Sequence, residues 1–234
     1  MKIIECTQGD QAWIEARLGL PTASRFSEIM SPKELKPSKS ADKYIASLVA
    51  EWLLGMPMDE AASGFMERGS EMEAEAIAWY ELQRDVEVRR VGFVTTDDGR
   101  YGCSPDGLIV EGEGGPWLGG LELKCPSAAV HVSYLLGEFP HAYVPQIQGG
   151  MAVTGLPWWD FCSYHPTLPK LLVRLARDET FIGPLKKALD VFVGRLAEAR
   201  QRMLDMGATA AEPYSVVAAR LRAEKISTEF AGVP

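Results

Sequence analysis

Apolar and polar positions along this chain recur with two periods, and the switches between them mark out the elements. Residues 22–30, TASRFSEIM, predict a short helix capped by Thr22 or Ser24. A helix over 41–54 carries Tyr44, Leu48 and Trp52 on one face and stops at Gly55. Met72, Ala76, Trp79 and Tyr80 fall at i, i+4, i+7 and i+8 of a helix over 70–84. The period then shortens. Residues 86–94, 100–110 and 119–125 read as strands, the last two joined by a Gly-rich loop. A helix over 142–154, a strand over 158–164 and an amphipathic helix over 181–207, stopped by Gly207, complete the pattern. This order predicts an α/β fold with a central mixed β-sheet flanked by helices. One domain is expected over 1–207, followed by a tail over 208–234 that is either a short helix or mobile.

One strand pair breaks the apolar pattern. In GLELKCP, period 2 puts Leu121, Leu123 and Cys125 on one face and Glu122 and Lys124 on the other. In CSPDGL, Ser104 and Asp106 share a face by the same rule, and a hairpin would bring Asp106 towards Glu122. Two adjacent carboxylates repel, so one would ordinarily stay protonated. A divalent cation removes that conflict, and Mg²⁺ favours one or two carboxylates plus water and phosphate oxygens. The Leu123 backbone carbonyl lies between the two side chains and can complete such a shell. Lys124 beside the ion suits phosphodiester hydrolysis, by orienting or deprotonating water or by offsetting transition-state charge. The plainer reading is a salt bridge on a solvated sheet face. The S-P-D-G turn in the adjacent strand weighs against it.

Composition narrows the classes. The 234 residues are 47% hydrophobic and 24% charged, enough for one sizeable core and short for two. No run of about 18 apolar residues predicts a membrane span. Glu5 and Asp10 come too early for a signal peptide. The four cysteines include no C-x-x-C pair, which disfavours a zinc ribbon or disulfide scaffold and points to a reducing, cytoplasmic setting. A net charge of −8 weighs against a nonspecific polyanion binder, although a basic channel can coexist with an acidic outer surface.

A strand-end Asp followed by E-x-K is the pattern of PD-(D/E)XK nucleases, whose restriction-endonuclease-like core is thereby implied. The wording CSPDGL…GLELKCP resembles more narrowly the phage lambda exonuclease (YqaJ-type recombinase) family. QGDQAWIEARLGLPTAS (8–24), RGSEMEAEA (68–76) and YVPQIQGGMAVTG (143–155) resemble its other motifs, in the same order. The resemblance spans about 8–165. It implies a Mg²⁺-dependent exonuclease, with Mn²⁺ as a substitute and two ions during catalysis. Such an enzyme degrades one strand of linear duplex DNA from a 5′-phosphorylated end and leaves a 3′ overhang. It also implies a processive homotrimeric ring, a single-strand annealing protein as partner, and a phage or prophage origin.

On this resemblance Asp106, Glu122 and the Leu123 carbonyl hold metal, while Lys124, Glu73 and Gln146 position the attacking water. Read without it, Ser70-x-x-Glu73 is a capping box, with Glu71 and Glu75 pointing outward. Tyr143 and Gln146 share a helix face, whereas Gln148 does not. The resemblance assigns Arg17, Ser24 and Ser104 to the terminal 5′-phosphate. A helix N-terminus near Ser24 and a bidentate Arg17 suit an anion. The alternative is that Ser24 caps a helix and Arg17 pairs with Glu15 or another acid. Phe65 and Met66 are either core anchors or an apolar wedge at the duplex end. Lys33, Lys36, Lys39 and Lys43 are candidate backbone contacts, but Glu34 stands where an arginine is expected. His131, His141 and His165 share no metal spacing. The competing functions are a restriction- or repair-type endonuclease on the same fold and a non-catalytic DNA-end-binding protein.

Overall fold

The structure, a computed structural model, describes residues 1–58, 66–112, 114–137, 139–213 and 216, with the backbone alone over 66–71. The strands expected over 86–94 and 100–110 are each broken in two, and the halves join different sheets. The first halves and second halves are β4 (Glu87–Arg89), β5 (Phe93–Thr95), β6 (Gly102–Cys103) and β7 (Gly107–Val110). β5 and β6 form an antiparallel sheet with β1 (Lys2–Ile4), in the order β1-β5-β6, while β2 (Met30–Ser31) and β3 (Lys36–Pro37) pair with each other. β4 and β7 continue into the main sheet. Two residues explain the breaks. Gly92 approaches Cys6 so closely that a Cβ would sit 2.1 Å from its carbonyl oxygen. Pro105 has no N–H to give a ladder.

The main sheet has five strands in the order β10-β9-β8-β7-β4, with β8 at Trp117–Lys124, β9 at Trp158–Ser163 and β10 at Leu171–Ala176. β8 and β9 run parallel, and every other pair is antiparallel. The sheet is therefore mixed, as expected. β10 escapes the sequence pattern because it is an edge strand whose residues are half-buried or exposed, which blurs the period-2 alternation.

Helices cover both faces. The helix expected over 70–84 begins a turn earlier: α3 spans Met66–Arg84, and α1 (Gln11–Arg17) and α2 (Ala41–Leu54) precede it. Ala76, Ile77 and Tyr80 of α3 pack on Ile109, Leu121, Leu123 and Cys162. After β8 come α4 (Ala128–Leu136), which the pattern did not reveal, α5 (Val144–Thr154) and α6 (Glu179–Asp205). α5 buries Ile147 and Met151 on the other sheet face, with Leu108, Trp159 and Phe161. Small residues permit this contact: a Cβ at Gly120 or Gly150 would come within 2.4 and 2.7 Å of the Trp159 ring. The stops at Gly55 and Gly207 adopt positive φ, as a helix end requires. Residues 23–28 form a 3-10 helix rather than an α-helix, so the macrodipole invoked for Ser24 is largely missing. The tail beyond 213, Val216 apart, lies outside the described residues. Among the described residues no helix is long and apolar enough to cross a membrane.

Candidate active site

The antiparallel pairing of β7 with β8 sets Gly107 against Leu121, so the preceding residue, Asp106, lies opposite Glu122. The Asp106 amide donates to the Leu121 carbonyl at 3.2 Å, and the Leu123 amide returns a bond to Asp106 Oδ2 at 2.6 Å. Leu121 and Leu123 face α3, and Glu122 and Lys124 face α5, as the alternation predicts. Glu122 is 3% exposed. Its Oε1 accepts from Gln146 Nε2 at 2.7 Å and lies 2.5 Å from Lys124 Nζ. Tyr143, one turn from Gln146, holds its ring 5.5 Å from the same ammonium. Gln148 points elsewhere: it donates to the Ala176 carbonyl and accepts from the Asp178 amide, tying α5 to the start of α6.

The electrostatics follow from two acids in one dry place. Burial pushes the Glu122 carboxyl up to about 7, against the pull of Lys124 and with the help of Asp106. Burial also raises Asp106, opposed by Lys124, the Leu123 amide and Arg90. Lys124 is driven well above its ordinary range because Glu122 and Asp106 outweigh its own burial. Glu73 belongs to the same field: burial raises its carboxyl, Asp106 adds to that, and Arg90 and Lys124 oppose it. Ser70 lies one turn inside α3, which removes the capping-box reading of Glu73. Arg90, between β4 and β5, carries no sequence signal of its own, being one of two adjacent exposed arginines.

Among the described residues, hydrogen bonds engage Oδ2 of Asp106 and Oε1 of Glu122, which leaves Oδ1 and Oε2 for another ligand. No group of three or more His, Cys, Asp or Glu side chains forms a cage among the described residues. A pair of buried carboxylates with open oxygens suits a hard cation that keeps water and substrate oxygens in its shell. The donor set therefore fits Mg²⁺ and does not fit a closed structural site.

A cavity of about 180 Å³ opens beside Glu122 and Gln146, and Arg17, Ser24, Ser104 and Trp159 line it too. Arg17 Nη1 and Trp13 Nε1 both donate to Ser104 Oγ, at 2.8 and 2.9 Å. That hydroxyl keeps its own hydrogen for a ligand. The guanidinium stacks 4.2 Å from the Trp13 ring, and burial lowers its pKa. Ser24 is exposed at the cavity wall, its hydroxyl 3.3 Å from that of Thr22. Arg17 thus reaches across to Ser104, 87 residues along the chain. Gln8 also lines the cavity and donates to the Pro105 carbonyl at 2.8 Å, fixing the turn before Asp106. The Trp159 Nε1 is buried with no hydrogen-bond partner among the described residues. Both were missed, Gln8 because its partner is distant in sequence and Trp159 because it reads as core.

The other candidates separate from this cluster. Phe65 lies outside the described residues, and Met66 is described by its backbone alone. Lys33, Lys36, Lys39 and Lys43 are all exposed. Two of the three histidines stand together, but His131 is bonded to Ser163 and the Pro169 carbonyl and serves the core.

Comparison with known proteins gives a family and a shared fold. The model of the YqaJ-like viral recombinase domain matches residues 12–157. Crystal structures of an alkaline exonuclease, LHK-Exo from Laribacter hongkongensis, superpose with a TM-score of 0.71. The identity is 29%, or 30% for the complex with dAMP, over 85% of this chain and 98% of that one. A phage-related exonuclease from Haemophilus somnus shares the fold at 15% identity and a TM-score of 0.61, over 79% of this chain and 96% of its own. No curated protein sequence matches significantly. With more than half of its length matched by that one domain model, the chain belongs to the YqaJ-like viral recombinase family.

Proposed function

We propose that this protein is a Mg²⁺-dependent exonuclease that degrades one strand of linear duplex DNA in the 5′-to-3′ direction from a 5′-phosphorylated end. The observation that carries the reading is the continuity of two chemistries. Glu122, one member of the acid pair, lines the same cavity as Arg17 and Ser104. A nuclease that measures from a terminal phosphate needs both within reach of one nucleotide. The exonuclease names of the structural relatives support the same class.

Asp106, Glu122 and the Leu123 carbonyl would hold the cation, with Mn²⁺ as a substitute and a second ion accommodated with substrate bound. When bound, the cation supplies neutralisation of the acid pair and polarisation of the scissile phosphate. Lys124 offsets charge as it develops on the phosphoryl oxygens and, released from Glu122, aligns the attacking water. Gln146 holds the Glu122 carboxylate in orientation. Glu73, whose carboxyl is raised by burial and by Asp106, is placed to accept a proton from that water. Arg17, Ser104 and Ser24 seat the terminal 5′-phosphate, which fixes which bond is cut. Arg90, an exposed cation whose charge acts on Asp106 and Glu73, meets the strand's next phosphates. A homotrimeric ring and an annealing protein as recipient of the 3′ strand belong to the same proposal.

One gel tests it. Linear duplex with 5′-phosphate should be consumed in Mg²⁺ and spared in EDTA, and covalently closed circular duplex should survive. Cutting of the circle would replace this reading by an endonuclease. Binding without cleavage in either Mg²⁺ or Mn²⁺ would leave an end-binding protein.

A further inference from the structure

The position of Glu73 depends on α3, whose described side chains Met72, Ala76, Ile77, Trp79 and Tyr80 pack on the sheet. Among the described side chains of α3, the buried ones are Ala76, Ile77 and Tyr80. Apolar contacts are non-directional and do not by themselves fix the rotation of a helix. Two hydrogen bonds supply the direction. The Tyr164 hydroxyl donates to Glu75 Oε1 at 2.7 Å, and the Tyr80 hydroxyl donates to Asp160 Oδ2 at 2.8 Å. Glu75, expected to point idly outward, is thus tied to the sheet.

Tyr164 has a second attachment. It follows the last residue of β9, and its backbone amide donates to the Lys124 carbonyl at 2.8 Å. One residue therefore grips the main chain of Lys124 and the helix residue two positions after Glu73. The second fixed point is equally rigid. Asp160 is 0% exposed and also takes a two-pronged bond from Arg174, at 2.8 and 2.9 Å. Buried ionic groups of this kind seldom add more stability than an apolar residue would. What they do add is a single geometry.

We propose that Tyr164 is a positioning residue: through its hydroxyl on Glu75 and its amide on Lys124 it sets the reach of Glu73 to the Asp106–Lys124 cluster, with Tyr80–Asp160 as the other pin. This rests on the role given to Glu73 above. Tyr164→Phe removes the hydroxyl and keeps the ring, so the core stays filled. Glu75→Ala breaks the same bond from the solvent side, and Glu75→Gln keeps an acceptor and should restore function.

In steady-state cleavage of 5′-phosphorylated linear duplex, Tyr164→Phe and Glu75→Ala should each lower kcat about tenfold, with KM within about twofold of the parent. On a Glu73→Gln background Tyr164→Phe should cost nothing further, whereas its loss should multiply with that of Arg17→Ala. Amide exchange over residues 72–80 should accelerate in Tyr164→Phe while that of β8 does not. Unchanged kcat, losses that multiply with Glu73→Gln, or unchanged exchange in α3 would each overturn the inference. If Glu73→Gln itself cleaves at the parental rate, it is the reading of Glu73 that fails, and that arm separates the two failures.

Discussion

Glu122 and Asp160 are both buried carboxylates on neighbouring strands of one sheet, yet they have opposite surroundings. Asp160, on the face under α3, receives Arg174 in two bonds and the Tyr80 hydroxyl, with Arg84 3.7 Å away. Glu122, on the face under α5, has Lys124 and Gln146 but also a second acid and a cavity beside it. One acid is saturated with donors; the other is short of positive charge. A buried carboxylate whose neighbours satisfy it fixes geometry, and one left with an acid for company is prepared for a cation that arrives with the substrate. Burial alone does not distinguish them.

Substitutions on the two sides should separate accordingly. The largest effect belongs to Lys124→Ala, expected to slow cleavage about 10³-fold while thermal unfolding stays close to the parent's. The fold tolerates it because Glu122, losing its cation, keeps its proton. Near-parental turnover would remove Lys124 from the chemistry. Asp160→Ala should act mainly on stability, costing about 3 kcal/mol in urea unfolding because Tyr80 loses its acceptor and Arg174 its partner. A smaller loss than that of an ordinary surface substitution would mean that Asp160 is not a structural pin.

Two subtler tests sharpen the contrast. Arg17→Ala should reduce the preference for 5′-phosphoryl over 5′-hydroxyl ends about tenfold, read from initiation rates, with little effect on unfolding. The smallest effect is on pH. Glu122 must lose its proton to accept a cation, and its carboxyl sits near 7 instead of its usual lower range. Metal affinity should therefore rise up to about tenfold per pH unit below 7 and level off above it, measured by calorimetry. A flat profile would show that Glu122 is ionised before the cation binds.

The acid cluster was legible before any coordinates because it is local. Asp106, Glu122 and Lys124 lie within a single hairpin, and period 2 alone assigns the facing of each. Helices with long apolar stripes and Gly stops, such as α2 and α6, were legible for the same reason. The short α4, the edge strand β10 and the break of two strands into separate sheets were not, because each depends on contacts far along the chain. Gly92 can split a strand only where Cys6 lies against it.

The residue pattern alone pointed to Asp106, Glu122 and Lys124, since side-chain chemistry and strand alternation are properties of neighbouring positions, whereas Glu73, Gln146 and Arg17 were singled out by the family resemblance. That the Arg17–Ser104 pocket and Glu122 border one cavity is different in kind. So are the pinning of Glu75 by Tyr164 and the satisfaction of Asp160 by residues 80 and 14 positions away. These are distances between segments that meet only when the sheet closes between its helices, and no periodicity encodes them.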